Sequence, residues 1–326
     1  MPYRFAVSFL SLLFVFLSFR TEAAIEFREG EKIALVGNSL AERMNLYGYF
    51  ETRLHLAHPD KRLQFRNFGF PADEVGMQQR PNNYTKIDDP LVVFGPETFL
   101  CCFGFNESFA GPDQIDQFKA DYLSYIDNLR KKFKKGDTQP RIVLVSPVAF
   151  EPTGNPLHPQ GQSENANLKV YIDAIAQVAE VRNLELINLF DETNRRFNEK
   201  PGNQFTINGC HLNEAGDRLV AQLLSRELLG TDSADESSPQ FGKLREAVND
   251  KSWVHSNDYR MLNGWYVYGG RRTFDKKTFP KEYKKIRAMT AVRDQRVWDI
   301  AGGKSVPAVV NDTETGELFV LSLIHI

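Results

Sequence analysis

The stretch Ile33-Ala34-Leu35-Val36-Gly37-Asn38-Ser39-Leu40 runs from unbroken apolar residues into a glycine turn and a hydroxyl. An apolar run without alternation reads as a strand buried on both faces, the kind that builds parallel sheets. Ala41-Glu42-Arg43-Met44-Asn45 continues as the start of a helix. Ser39 then stands between the carboxyl end of a strand and the amino end of a helix, where unpaired backbone N–H groups and the helix dipole favour developing negative charge. Serine is also a common helix N-cap, and taken alone the motif favours the cap over a nucleophile. The balance turns on whether the rest of the chain supplies a base and an oxyanion site.

The same alternation spreads outward from this stretch. Strands are expected over 32–36, 63–68, 98–103, 141–146 and 184–189. Helices are expected over 40–57, 166–181 and 214–228, and the clearest one carries Ile115, Phe118, Tyr122, Ile126, Leu129 and Phe133 at three- and four-residue steps, with Asp113 available as its cap. Strands alternating with helices imply right-handed crossovers, a mostly parallel five-stranded sheet covered on both faces, and a ligand at the carboxyl ends of the strands.

The chain has 326 residues with 40 Lys+Arg against 42 Asp+Glu. That balance offers no basic stripe for nucleic acid, and Arg130-Lys131-Lys132-Phe133-Lys134-Lys135 reads as a solvated helix end suited to the dipole. Arg4, the apolar run 5–19 and Thr21-Glu22-Ala23-Ala24 read as a signal peptide over 1–23, so the mature protein is expected to be exported with no stable membrane insertion, an uncleaved anchor being the lesser alternative. Cys101, Cys102 and Cys210 fit no disulfide framework, zinc cluster or haem attachment. Cys101 and Cys102 read as core, with a bridge from one of them to Cys210 as the lesser alternative. His55 and His58 read as a surface pair at a helix end, and the three Asn-X-Ser/Thr matches at Asn83, Asn106 and Asn311 as chance.

Residues 24–230 form the expected catalytic domain, 231–240 a polar linker, and 241–320 an α-rich aromatic extension. Trp253, His255, Tyr259, Trp265, Tyr266 and Tyr268 crowd that extension and read as packing against the first domain rather than as a substrate platform. Leu321-Ser322-Leu323-Ile324-His325-Ile326 matches what a sequencing adaptor encodes, the alternative being an ordinary terminal strand. His325 is therefore set aside, and the natural chain is expected to run on past Val320, with further domains possible.

Three more segments fall where a serine esterase needs them: Asn67-Phe68-Gly69 after the second strand, Gly104-Phe105-Asn106-Glu107 after the third, and Asn208-Gly209-Cys210-His211 before the last helix of the domain. A neutral His211 can take the proton from Ser39 as its oxygen attacks an ester carbonyl. The Ser39 and Gly69 N–H groups and the Asn106 amide can hold the oxyanion. Singly, Gly69 can serve a turn, Asn106 a cap and His211 a loop; together and in this order they resemble the SGNH hydrolase superfamily, the GDSL-type esterases and lipases. The resemblance covers about residues 31–229. It implies a flavodoxin-like three-layer α/β/α sandwich with Ser39 as nucleophile, His211 as base, and Gly69 and Asn106 in the oxyanion hole. Residues 241–301 are similar to an extension found after such domains in large exported bacterial proteins, some of which continue into dehydrogenase-like and c-type haem modules.

Two positions depart from the family pattern, which usually has aspartate where this chain has Asn38 and where it has Asn208. Asparagine can make the same turn and cap bonds at 38. At 208 the aspartate would orient the imidazole, and an acid-to-amide change there costs about 10⁴ in turnover in serine proteases. An amide carbonyl facing the ring avoids much of that loss, so the expectation is a Ser39–His211 dyad oriented by a carbonyl. Asn38, Phe70, Phe105 and Phe109 are the candidate pocket residues. The expected substrate is a small acyl ester, acetylated carbohydrate first and a lipid-like ester second, with no metal or organic cofactor required. The rival reading is a non-catalytic glycan-binding or scaffold module on the same fold.

Overall fold

The computed structural model describes residues 24–78, 89–199, 204–231, 234–260 and 279–317, the side chains of 279 and 280 excepted. The expected signal peptide, the Asn83 match, the aromatic cluster at 265–268 and the terminal hexapeptide lie outside the described residues.

Five strands, β1 (Lys32–Gly37), β2 (Gln64–Asn67), β3 (Thr98–Cys102), β4 (Arg141–Val145) and β5 (Glu185–Ile187), form one sheet in the order β2-β1-β3-β4-β5. Every pairing is parallel, with Leu35 opposite Asn67 and Leu100, and Gly37 opposite Cys102. Alternate side chains of β1 and β3 enter two cores. Ile33, Leu35, Leu100 and Cys102 face one core; Ala34, Val36, Phe99 and Cys101 face the other. The first core is closed by α1 (Ser39–Tyr47), α2 (Tyr49–Ala57) and α7 (Glu214–Leu229). The second is closed by Phe118, Tyr122, Ile126 and Leu129 of α4 (Ile115–Lys132) and by Tyr171, Ile175 and Val178 of α5 (Gln162–Arg182). This is the three-layer α/β/α sandwich. Chain order reverses between β1 and β3, so their carboxyl ends frame the crevice in which such sheets bind ligands.

Several local expectations need correction. The helix over 40–57 is two helices, because Gly48 takes φ 68° and caps α1 with its N–H on the Met44 carbonyl, a left-handed turn that needs glycine. Asp113 does not cap α4; it lies in a 3₁₀ turn over Pro112–Gln114, and the capping position is Gln114 with no side-chain bond. His55 and His58 are not a surface pair. His55 is 2% exposed with Nε2 3.2 Å from Glu51 Oε1, and the His58 ring packs edge-on against Phe27. Short helices α3 (Pro90–Phe94) and α6 (Phe190–Glu199) were not anticipated. All three cysteines are free: Cys101 and Cys102 point into opposite cores, and Cys210 lies beside His211.

In the polar stretch before α8 (Pro239–Tyr259), nearly buried Glu236 ion-pairs with Arg53 and Arg218. Helix α8 packs on α9 (Phe279–Ala301) through Leu244, Ala247, Val248, Val297 and Ile300. Both helices also close the free edge of β2. Gln64 and Phe68 donate inward to Glu31 and Leu35, which turns the intervening carbonyls outward. The carbonyls of Leu63, Phe65, Asn67 and Gly69 accept from Trp298 Nε1 (2.8 Å), Lys251 Nζ (3.1 Å), His255 Nε2 (3.2 Å) and the Tyr259 hydroxyl (3.3 Å). An open parallel edge is thereby satisfied by side chains instead of a sixth strand. Arg66 adds a buried pair with Asp294 of α9; removing one partner of such a pair typically costs about 3–5 kcal/mol. Among the described residues no helix is long and apolar enough to cross a membrane.

Candidate active site

Asn38, not Ser39, caps α1: its Oδ1 accepts from the Leu40 N–H at 3.1 Å, and the residue is 3% exposed. Ser39 is the first helical residue and half-buried, and neither its N–H nor its hydroxyl takes a partner among the described residues. The cap role that competed for this serine is filled by its neighbour, which leaves the hydroxyl uncommitted at the dipole's positive end. The same geometry removes Asn38 from the pocket wall.

Gly69 sits against the first turn of the same helix. A Cβ at this position would lie 2.4 Å from the Glu42 nitrogen and 2.8 Å from the Ala41 carbonyl carbon, so only glycine permits the approach. Asn67 locks the junction, donating from Nδ2 to the Ala41 carbonyl at 2.5 Å and accepting the Gly69 N–H at 2.8 Å. The Gly69 donor counted from sequence is thus engaged by Asn67 Oδ1 in this structure.

Asn106 follows β3 in helical conformation and its side chain makes no capping bond, contrary to a cap role. The turn that carries it is held by Glu107, whose carboxylate accepts from Gly104 N at 2.8 Å and Val75 N at 3.0 Å. Burial pushes the Glu107 carboxyl up to about 7, against the lowering effect of those backbone donors.

His211 is half-buried on the loop before α7. Arg43, one turn along α1 from Ser39, donates from Nε (3.1 Å) and Nη2 (2.9 Å) to the Leu212 carbonyl, which straps this loop to the helix of the serine. Burial lowers the His211 pKa below its ordinary value, the Arg43 cation lowers it further, and Glu42 opposes both. The imidazole is therefore neutral at neutral pH, the form a general base requires. No hydrogen bond joins Ser39 to His211 among the described residues. Catalytic hydrogen bonds commonly tighten only when substrate is bound.

Around His211 Nδ1 stand Asn208 Nδ2 at 3.0 Å, Asn208 Oδ1 at 3.1 Å and Cys210 Sγ at 3.3 Å. Asn208 Oδ1 also accepts the His211 N–H at 3.0 Å, so the oxygen is held toward the His211 backbone while both ends of the amide stand within reach of the ring. Accepting Nδ1–H there leaves Nε2 as the basic nitrogen. Burial pushes Cys210 up to about 11, which keeps it a thiol.

One residue that orders this loop was not found from sequence. Glu151, fully buried after β4, accepts from Gln204 N (3.0 Å), Phe205 N (3.1 Å), Thr206 N (2.7 Å) and Thr206 Oγ1 (2.5 Å), while its own N–H donates to Gly209 O at 2.7 Å. Its partners are mostly backbone groups, so no side-chain pattern signals it.

Of the pocket candidates, Phe105 and Phe109 stand edge-to-face at 5.5 Å and line a cavity of about 80 Å³ with Phe150 and Leu168. The Phe150 ring packs against Gly209 of the histidine loop. Phe70 lies elsewhere, beneath the Arg260 guanidinium. The described residues contain no cluster of side chains suited to a metal ion.

Residues 35–219 match the GDSL-like lipase/acylhydrolase family. No curated protein matches the chain in sequence. Among solved structures, the fold is similar to a gut microbial diltiazem-metabolizing enzyme at 12% identity and TM-score 0.62, covering 85% of this chain and 96% of the other. It is also similar to a catalytic mutant of an acetylxylan esterase from Geobacillus stearothermophilus at 14% identity and TM-score 0.51, covering 65% of this chain and all of the other. At such identities these two show a shared fold. The family match takes in Ser39, Gly69, Asn106 and His211, and the chain belongs to the GDSL-like lipase/acylhydrolase family of ester-hydrolysing enzymes.

Proposed function

We propose that the protein is an exported esterase that removes small acyl groups, acetyl first, from carbohydrate by way of a Ser39–His211 dyad. The observation that carries this reading is the Arg43 strap, which ties the loop of a neutral His211 to the helix that begins with an uncommitted Ser39. His211 Nε2 takes the hydroxyl proton as Ser39 Oγ bonds to the ester carbonyl carbon. The resulting oxyanion is met by the Ser39 N–H, the Asn106 amide and the Gly69 N–H, the last shared with Asn67 Oδ1. Collapse expels the alcohol, which receives the proton from His211, and water then releases the acyl group by the same steps in reverse.

The cavity of about 80 Å³ lined by Phe105, Ser108 and Phe109, chain neighbours of Asn106, has room for a short acyl chain, which favours small acyl esters over long lipid ones. Carbohydrate as the alcohol draws on the leader-like residues 1–23 and on the acetylxylan esterase that shares the fold. Hydrolysis of p-nitrophenyl esters from acetyl to decanoyl, run beside acetylated xylo-oligosaccharide, tests the reading. Activity confined to the shortest chains and to the sugar ester supports it; preference for decanoyl overturns it.

The second reading, a glycan-binding module without catalysis, is favoured by one contact, Asn208 Nδ2 at 3.0 Å from His211 Nδ1. An amide donating there would hold the wrong tautomer. Saturable glycan binding with no turnover of any ester would establish it.

A further inference from the structure

We propose that the carboxyl-terminal end of α8 is a positioning element of the esterase site, with Tyr259 and His255 fixing the peptide that carries the Gly69 N–H. The proposal rests on the reading of Gly69 as an oxyanion donor. Lys251, His255 and Tyr259 recur at four-residue steps along one face of α8, and they meet every second carbonyl of the β2 edge. The peptide linking Phe68 to Gly69 lies between two of these anchors. His255 Nε2 donates to Asn67 O on one side, and the Tyr259 hydroxyl donates to Gly69 O on the other.

Tyr259 does more than close an edge. Its hydroxyl also accepts from Asn45 Nδ2 at 3.2 Å, and Asn45 belongs to α1, the helix that Ser39 begins. One oxygen therefore bridges the nucleophile's helix and the oxyanion glycine. The next residue repeats the arrangement: Arg260 pairs with Glu42 of α1 and covers the Phe70 ring, on the far side of Gly69. The Tyr259 ring itself is buried against Phe68 and stacked on His255 at 5.0 Å, which holds the hydroxyl in place. Neither ring touches the reacting atoms, so both act through Gly69. The extension is then part of the working enzyme and not a separate passenger.

The test uses the full chain and p-nitrophenyl acetate, with kcat and KM expressed per active site titrated by a fluorophosphonate probe. Tyr259→Phe keeps the buried ring and removes one oxygen; kcat falls about tenfold while KM stays within about twofold. Asn45→Ala, which releases the same hydroxyl from α1, lowers kcat in the same direction. Trp298→Phe removes the equivalent edge bond at Leu63, far from Gly69, and lowers the melting midpoint with kcat unchanged. Equal kcat loss in Tyr259→Phe and Trp298→Phe, or wild-type kcat in Tyr259→Phe, overturns the proposal. Ser39→Ala separates the two readings: if it is inactive while Tyr259→Phe matches wild type, only the positioning role falls; if it retains turnover, the underlying esterase assignment falls.

Discussion

Arg43 holds the carbonyl of Leu212 with two guanidinium nitrogens, at 3.1 and 2.9 Å, and so joins the helix that begins at Ser39 to the loop that bears His211. Arg43→Met keeps the stem but leaves that carbonyl without its charged partner, at a cost of about 1–3 kcal/mol. The variant should lose kcat/KM by roughly tenfold through loop misplacement. Loss of the cation also raises the His211 pKa, so the acid limb of the pH–rate profile should move to higher pH than in wild type. A profile unmoved by the substitution contradicts the strap.

The amide of Asn208 sits between two tautomers of His211. Its oxygen accepts the His211 backbone N–H and lies 3.1 Å from Nδ1, beside Nδ2 at 3.0 Å, and the dyad proposed above requires that the oxygen orient the ring. Asn208→Asp should therefore raise kcat by less than about tenfold, far short of the 10⁴ that separates acid from amide where the wrong tautomer is held. The new carboxylate stabilises the imidazolium, so the acid limb moves up in pH. A gain of several thousandfold would mean that Asn208 presents its NH₂ to the ring.

Glu151 gathers the N–H groups of residues 204–206 on one buried carboxylate. Glu151→Gln turns an NH₂ toward those donors and should lower stability by about 1–3 kcal/mol. Because the loop ends at His211, kcat should fall as well, while binding of a product sugar is less affected. Urea denaturation beside steady-state kinetics reads both effects.

Stability should depend on pH through the interface with α8. Burial lowers His55 to about 4 and His255 well below its ordinary value, so both are neutral in the folded protein. Unfolded imidazoles bind protons below about 6.5. The folded state therefore has its full stability from these groups above that value, loses it as pH falls, and for His55 has lost it by about pH 4. Denaturation midpoints from pH 7 to 4 should fall more steeply for wild type than for His55→Gln; parallel curves would contradict the assignment.

The sheet was legible because β1 and β3 are continuous apolar runs, and the family because four motif segments, each after a strand or before a helix, stand in its order. What escaped was set by contacts between distant parts of the chain. Gly48 interrupts a helical pattern that continues on either side, and only its φ of 68° reveals the break. His55 looked solvated because nothing in its neighbourhood announces that α8 covers α2. Tyr259 read as packing, which it does; its hydroxyl gains meaning only beside Asn45 and Gly69. In the same way the cap role that sequence left open to Ser39 beside that of nucleophile falls to Asn38.

The central claim is that Ser39 is the nucleophile, and the most direct measurement is covalent labelling with a fluorophosphonate read beside turnover of p-nitrophenyl acetate. Wild type should take one label per chain at Ser39, located by mass spectrometry, and lose its activity in step with labelling. Ser39→Ala should take no label and show no hydrolysis above background. Undiminished hydrolysis by folded Ser39→Ala would contradict the account.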